Sequence, residues 1–197
     1  MTPPKKKDIL AGKLVEAAIA IVEKDGFKSL TVRAVTARAG CAIGMVYKIF
    51  RNLDDLALHV NAATLDKIGD DLARPIKRAD PAGAVMELAR RYIAFSRRNF
   101  NLWSMIFEHR MARRLPPWFD EKIRRNFLFV ETAVAPLTYG DKARAARSAR
   151  ALWAALHGLC MLSISGKLDS AGAQSATVLA ADLVENYLAG LARGRRK

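Results

Sequence analysis

Cysteine is scarce in this chain. Cys41 and Cys160 stand far apart, with no Cys-x-x-Cys pair and no Cys/His cluster. That excludes a zinc site of ordinary ligand spacing and a disulfide framework, and it suits a reducing compartment. Histidine is nearly as rare, limited to His59, His109 and His157. Glu108 and His109 are sequence neighbours, so on a helix they splay apart rather than form a metal pair. No Gly-rich phosphate loop appears, and no Ser/His/Asp order with a recognisable context. Catalysis is therefore not expected, nor is a metal or other cofactor. Long apolar runs are missing too. The longest, Ala151 to Ile164, is interrupted by His157 and is too short to span a bilayer. The opening "MTPPKKKDILAGKLVEAA" has no apolar core behind its lysines, unlike a secretory signal. These features predict a soluble, cytoplasmic chain. The last deficit is in acids: 19 Asp and Glu face 33 Lys and Arg, for a net charge of +14 and a pI near 10.2. Such an excess points to a polyanion, nucleic acid first and an anionic membrane surface second.

The remaining composition is ordinary for a globular chain, with 51% hydrophobic and 26% charged among 197 residues. Helical spacing dominates. Ile9, Leu10, Leu14, Ala17, Ala18, Ile21 and Val22 recur at intervals of three and four, closed by Asp25-Gly26. Thr31 can cap a short second helix that stops at Gly40. Ile43 to Phe50 reads as a third helix, and a longer one begins after Asn52 with Asp54 and Asp55 at its positive end. Beyond Pro75 and "RADPAG", helices are expected near 82–99, 101–112, 117–135, 141–165 and 172–192, parted by Pro and Gly segments. The expected architecture is all-α: an N-terminal three-helix head over residues 1–52 and a larger helical body over 53–197.

The stretch "ARAGCAIGMVYKIFRNLDDL", Ala37 to Leu56, sets a turn around Gly40 between two short helices. This is the spacing of a helix-turn-helix. Val35, Ala39 and Val46 can close the angle between the helices, and Phe50, Phe27 and Leu30 can lock the pair onto helix one. Ile43, Gly44, Met45, Tyr47 and Lys48 are then left outward, on a helix of the size that enters a DNA major groove. Residues 1–52 carry ten Lys or Arg against four acids, so charge density there is about twice that of the remainder.

"LTVRAVTARAGCAIGMVYKIFRNLDDLALHV" resembles the DNA-binding domain of TetR/AcrR-family transcriptional regulators. The shared pattern is a Thr opening helix two, Ala-Gly at the turn, Gly-x-x-Tyr-x-x-Phe through helix three, and an acidic-Leu start to helix four. The short segment "LWAALHGLCML" is similar to the Trp-x-x-x-His-Gly part of one C-terminal subgroup. The resemblance implies phosphate contacts at Thr31 and Tyr47, and base-facing positions at Ile43, Gly44 and Met45. It also implies backbone or base contact at Lys48, and a guanine edge or phosphate within reach of Arg33. Three departures remove polar groups. Ala42 stands where a capping Ser or Thr is usual, a local loss of about 1 kcal/mol. Met45 replaces a frequent Thr, and Leu53 a frequent Lys. Operator binding then leans on Lys5 to Lys7 and on Arg51.

For the body, the resemblance implies dimerisation through the last two helices and an enclosed small-molecule pocket whose occupant releases DNA, as in a repressor. The residues themselves leave two readings for 141–165 and 172–192. Their apolar stripes (Leu152, Leu156, Leu159 and Ile164; Val178, Leu179, Leu183, Tyr187 and Leu188) suit a four-helix interface between two chains or a hairpin over one core. Small residues at Ala154, Ala155, Gly158, Ala180 and Ala181 allow close helix approach. Met86, Tyr92, Phe95, Trp103, Met105, Phe107, Met111, Trp118, Phe127 and Phe129 likewise suit core or cavity. With the family layout, the candidate pocket is Trp103, Phe107, Phe127, Trp153 and His157, for an effector the sequence does not name. Arg97, Arg98, Arg110, Arg113 and Arg114 suit an anionic ligand or a solvated face. The alternative to a DNA-binding regulator is a basic helical protein that binds anionic membrane surfaces or acts as a scaffold.

Overall fold

A computed structural model describes residues 6–77, 80–110, 114–170 and 175–193, without the side chains of 169 and 170. Lys5, Met111, Arg113, residues 172–174 of the expected interface and the tail beyond Arg193 lie outside that set. The described residues are mostly helical and contain no strand. The elements are α1 (Lys6–Asp25), α2 (Val32–Ala39), α3 (Gly44–Ile49), α4 (Leu53–Ala73), α5 (Pro81–Arg98), α6 (Phe100–Glu108), α7 (Pro117–Val134), α8 (Lys142–Ile164), α9 (Lys167–Ser170) and α10 (Ala176–Arg193). Single turns of 3₁₀ helix occupy Phe27–Ser29 and Ala135–Thr138.

Local chemistry explains most boundaries. Thr31 Oγ1 accepts from the Ala34 N–H at 3.1 Å, which starts α2, and Gly40 ends it in the left-handed region at φ 66°. Asn52 Oδ1 accepts from Asp55 N–H at 2.8 Å at the head of α4. Asp80 and Asp141 do the same for Gly83 and Arg144 at the starts of α5 and α8. Each satisfies a backbone donor that the helix itself leaves open.

Contacts divide the chain into two units: Met1–Lys67 with Asn99–Phe119, and Ile68–Arg98 with Asp120–Lys197. This division runs through α4 and gathers α6 into the first unit, whereas the expected head and body part at residue 52. Three helices are too few to cover α1, and its buried stripe of Leu14, Ala18 and Val22 shares one core with Val35, Val46 and Phe50. Leu56 and Val60 of α4, and Leu102 and Met105 of α6, complete that core. Asn101 Nδ2 donates to Glu23 O at 2.9 Å, and Lys67 pairs with Glu23 at 2.7 Å, which pins α6 and α4 to the end of α1. The second unit packs α5, α8 and α10 on one another around Leu88, Ile93, Phe95, Leu152, Leu156, Val184 and Leu188.

Two segments differ from the sequence expectation. The helix expected over 101–112 stops at Glu108, because His109 turns to extended backbone at ψ 114° and its ring docks against Phe27 and Asn61. The 167–170 link is one helical turn, following Gly166 at φ 69°.

Candidate nucleic-acid interface

The turn between α2 and α3 is built by backbone alone. The N–H groups of Gly40 and Cys41 both donate to Thr36 O, closing α2. Ala42 and Ile43 offer no side-chain cap to α3, whose first turn is drawn in by Met45 N–H to Ala42 O at 2.9 Å and Val46 N–H to Ile43 O at 3.1 Å. The missing cap expected at Ala42 is thus replaced by tightened backbone bonds of 3₁₀ type.

Side chains on α3 sort cleanly. Val46 is fully buried and Phe50 nearly so, which fastens the helix to α1 and α4. Ile43 is 53% exposed and Tyr47 57%, both large apolar groups left in water. Gly44 and Lys48 are exposed, and Met45 is half-buried. Space around Gly44 is open, with nothing within 4 Å of where a Cβ would sit. Thr31 and Arg33 are exposed at the start of α2, and the Arg51 side chain is 81% exposed just after α3. All eight expected contact residues therefore lie in one unit, with at least part of each side chain or backbone open to a partner.

Three neighbours of this surface, Asp55, His59 and Trp118, are named from sequence but not as part of it. Asp55 Oδ2 accepts from the Arg51 N–H at 3.0 Å and lies 3.5 Å from Arg51 Nε. The Asn-x-x-Asp pattern of residues 52–55 is a capping signature that carries this arrangement in the sequence. Burial pushes the Asp55 carboxyl up, but the Arg51 hydrogen bonds and the charges of Arg51 and His59 outweigh it and hold it below the ordinary carboxylate value. His59 meets the Phe50 ring edge at 5.2 Å and stacks on Trp118 at 4.9 Å. Burial lowers its pKa, partly offset by Asp55. These ring contacts join residues far apart in sequence, and no spacing rule reports them.

The five expected pocket residues divide between the units. Trp103 is fully buried in the first, with Phe107 at 5.4 Å. Phe127, Trp153 and His157 lie in the second and form one run of rings: Phe127 edge-on to Trp153 at 5.5 Å, Trp153 stacked on His157 at 5.8 Å. His157 Nδ1 is hydrogen-bonded to Tyr92 Oη at 3.3 Å, and burial lowers its pKa. Arg150 lies over the Phe127 ring at 4.9 Å and pairs with Glu131 at 2.9 Å. Nearby Cys160 is buried, and burial raises its pKa, so the thiol is the resting form and a weak nucleophile. Among the described residues no group of three His, Cys, Asp or Glu side chains gathers as a metal site, and no helix is long and apolar enough to cross a membrane.

Known proteins share both the fold and the sequence pattern. Residues 14–60 match the family described as bacterial regulatory proteins, tetR family. Residues 85–187, more than half of the chain, match the tetracyclin repressor-like C-terminal domain. The HTH-type transcriptional regulator BetI of Brucella canis is 26% identical over 90% of this chain and 91% of its own. A Rhodococcus protein of unknown function superposes with a TM-score of 0.77 at 21% identity, covering 97% of this chain and all of that one. The multidrug binding protein EbrR, solved with proflavin, superposes with a TM-score of 0.64 at 21% identity over 90% of this chain and 99% of its own. With both its DNA-binding segment and its C-terminal helices matched, the chain belongs to the TetR family of bacterial transcriptional regulators.

Proposed function

We propose that this regulator binds operator duplex as a homodimer, with α3 of each copy in a major groove, and acts as a repressor released by a small-molecule effector. One observation carries the DNA half: α3 is fastened by Val46 from behind while Ile43 and Tyr47 stay exposed in front. Exposed apolar groups on a basic head are costly in water and useful against thymine methyls and sugar edges. Thr31, Arg33, Lys48 and Arg51 supply the phosphate and base partners around them, and Gly44 lets the backbone approach closely.

The dimer reading is supported by what α8 and α10 leave uncovered. Leu152, Leu156, Val184 and Leu188 cover the core of their own unit, as a hairpin would. Met161, Leu162 and Val178 stay exposed on the same helices, and Leu159, Leu179 and Leu183 half-exposed. Operator half-sites need two heads related by a two-fold axis. We place the effector in the second unit, at Phe127, Trp153 and His157 with Tyr92, because these rings meet through side chains from α5, α7 and α8. A neighbour of this fold solved with proflavin supports a small-molecule occupant.

The direct test is to enrich bound duplexes from random-sequence DNA with the purified protein and titrate variants on the product. Tyr47→Ala weakens binding to every duplex, whereas Met45→Ala mainly changes which sequence is preferred. A membrane-surface protein would instead enrich no sequence and bind anionic vesicles.

A further inference from the structure

We propose that Asp55 is a positioning residue for DNA binding, holding Arg51 at the α3–α4 junction in the conformation that meets a backbone phosphate. The inference rests on the reading of Arg51 as a DNA contact given above. Only Arg51 and Asn52 separate the Phe50 C-cap of α3 from Leu53, the first residue of α4. That two-residue link is gripped from one side chain and one amide of the same residue. Asp55 Oδ2 takes the Arg51 backbone N–H at 3.0 Å, while Asp55 N–H donates to Asn52 Oδ1 at 2.8 Å. The same carboxylate oxygen lies 3.5 Å from Arg51 Nε, an ion-pair contact that biases the guanidinium toward this side.

Burial is unequal across the pair. The Asp55 side chain is 16% exposed and that of Arg51 is 81% exposed, so the acid is sunk and the cation presented. An exposed arginine on a free link samples many rotamers and loses that freedom when it meets a phosphate. A tethered one has lost part of it beforehand. The position matters here because Leu53, the next apolar residue, brings no cation of its own to the start of α4. The titratable groups facing the Asp55 carboxylate are Arg51 and His59, and it is the Arg51 charge and amide that chiefly hold it below the ordinary carboxylate value.

Simple electrostatics predicts the opposite sign. A carboxylate beside a phosphate-binding cation repels a polyanion, so its removal should tighten binding. Positioning requires that its removal weaken binding, and only through Arg51. The test uses Arg51→Ala, Asp55→Ala and the double variant on a duplex that the wild-type protein has enriched from random sequence. Affinity is read across a salt series, alongside thermal melting of each variant. Arg51→Ala is expected to lower the log–log salt slope by about one. Asp55→Ala is expected to lose affinity by about three- to tenfold, and the double variant to bind no worse than Arg51→Ala alone although it melts lower. Should Asp55→Ala be too unstable, Asp55→Asn keeps the shape and still loses affinity. Asp55 variants that bind as tightly as wild type or tighter, or losses that add in the double variant, overturn the positioning role. An Arg51→Ala protein with unchanged affinity and slope overturns the Arg51 contact itself, a separate failure.

Discussion

At the scale of single residues, what matters is which side chains the fold uses and which it leaves over. Gly44 is left over: its surroundings are open, and its backbone is not in the left-handed region, so the fold has no need of a glycine there. Gly44→Ala should leave the melting temperature unchanged or slightly raised. If the backbone approaches DNA at that point, the added methyl weakens duplex binding, and equal binding by the alanine variant would remove Gly44 from the interface. His59 is used by the fold, between Phe50 and Trp118, and burial keeps its imidazole neutral. A histidine whose pKa is lowered on folding binds fewer protons folded than unfolded, so its contribution is present above the unfolded value of about 6.5 and lost as pH falls through the folded one. His157 shifts in the same direction. Thermal melts should therefore drop between pH 7.5 and 5.5, and His59→Asn should flatten that slope while lowering the plateau.

At the scale of elements, helix ends carry much of the specification. The cap at Thr31 is read from sequence, and Asn52, Asp80 and Asp141 cap their helices by the same chemistry of a short polar side chain before an apolar period. The C-terminus of α4 was not legible. Arg91, from α5, donates from Nη1 to the carbonyls of Asp71, Leu72 and Arg74 and from Nη2 to that of Pro75, while its Nε pairs with Glu87 at 3.0 Å. A guanidinium over open carbonyls meets both their hydrogen-bonding need and the negative end of the helix dipole. In sequence this residue is one arginine among many on an amphipathic helix, and only the fold distinguishes it. Arg91→Met is expected to cost about 2–4 kcal/mol in denaturant unfolding. Arg91→Lys should recover only part of that, since an ammonium cannot span four carbonyls. Full recovery by lysine would mean that charge alone holds the turn.

At the scale of the whole molecule, the helical class and the helix-turn-helix followed from periodicity, Gly40 and the basic head. The extent of the first unit did not. Its core needs Leu102 and Met105, which come from a helix that follows α4 and α5 in the chain, and local patterns say nothing about which distant helix returns. The same limit hides which unit each bulky residue joins: Trp103 and Phe107 share helical spacing and bulk with Phe127 and Trp153, and the first pair belongs to one unit and the second to the other. Assembly is testable at this scale. Leu162 and Val178 are 43% and 44% exposed, and on the proposed homodimer replacing both by Glu should halve the mass seen by light scattering and abolish cooperative filling of a two-half-site duplex. An unchanged mass would overturn the pairing through these faces proposed above.

The measurement that bears most directly on the account is the affinity of Tyr47→Ala for a duplex selected by the wild-type protein, taken with its melting temperature. Tyr47 is exposed on α3 and serves no core, so the fold should melt as wild type while affinity falls at least about tenfold. Unaltered affinity in a folded Tyr47→Ala protein would contradict the placement of this helix face against DNA.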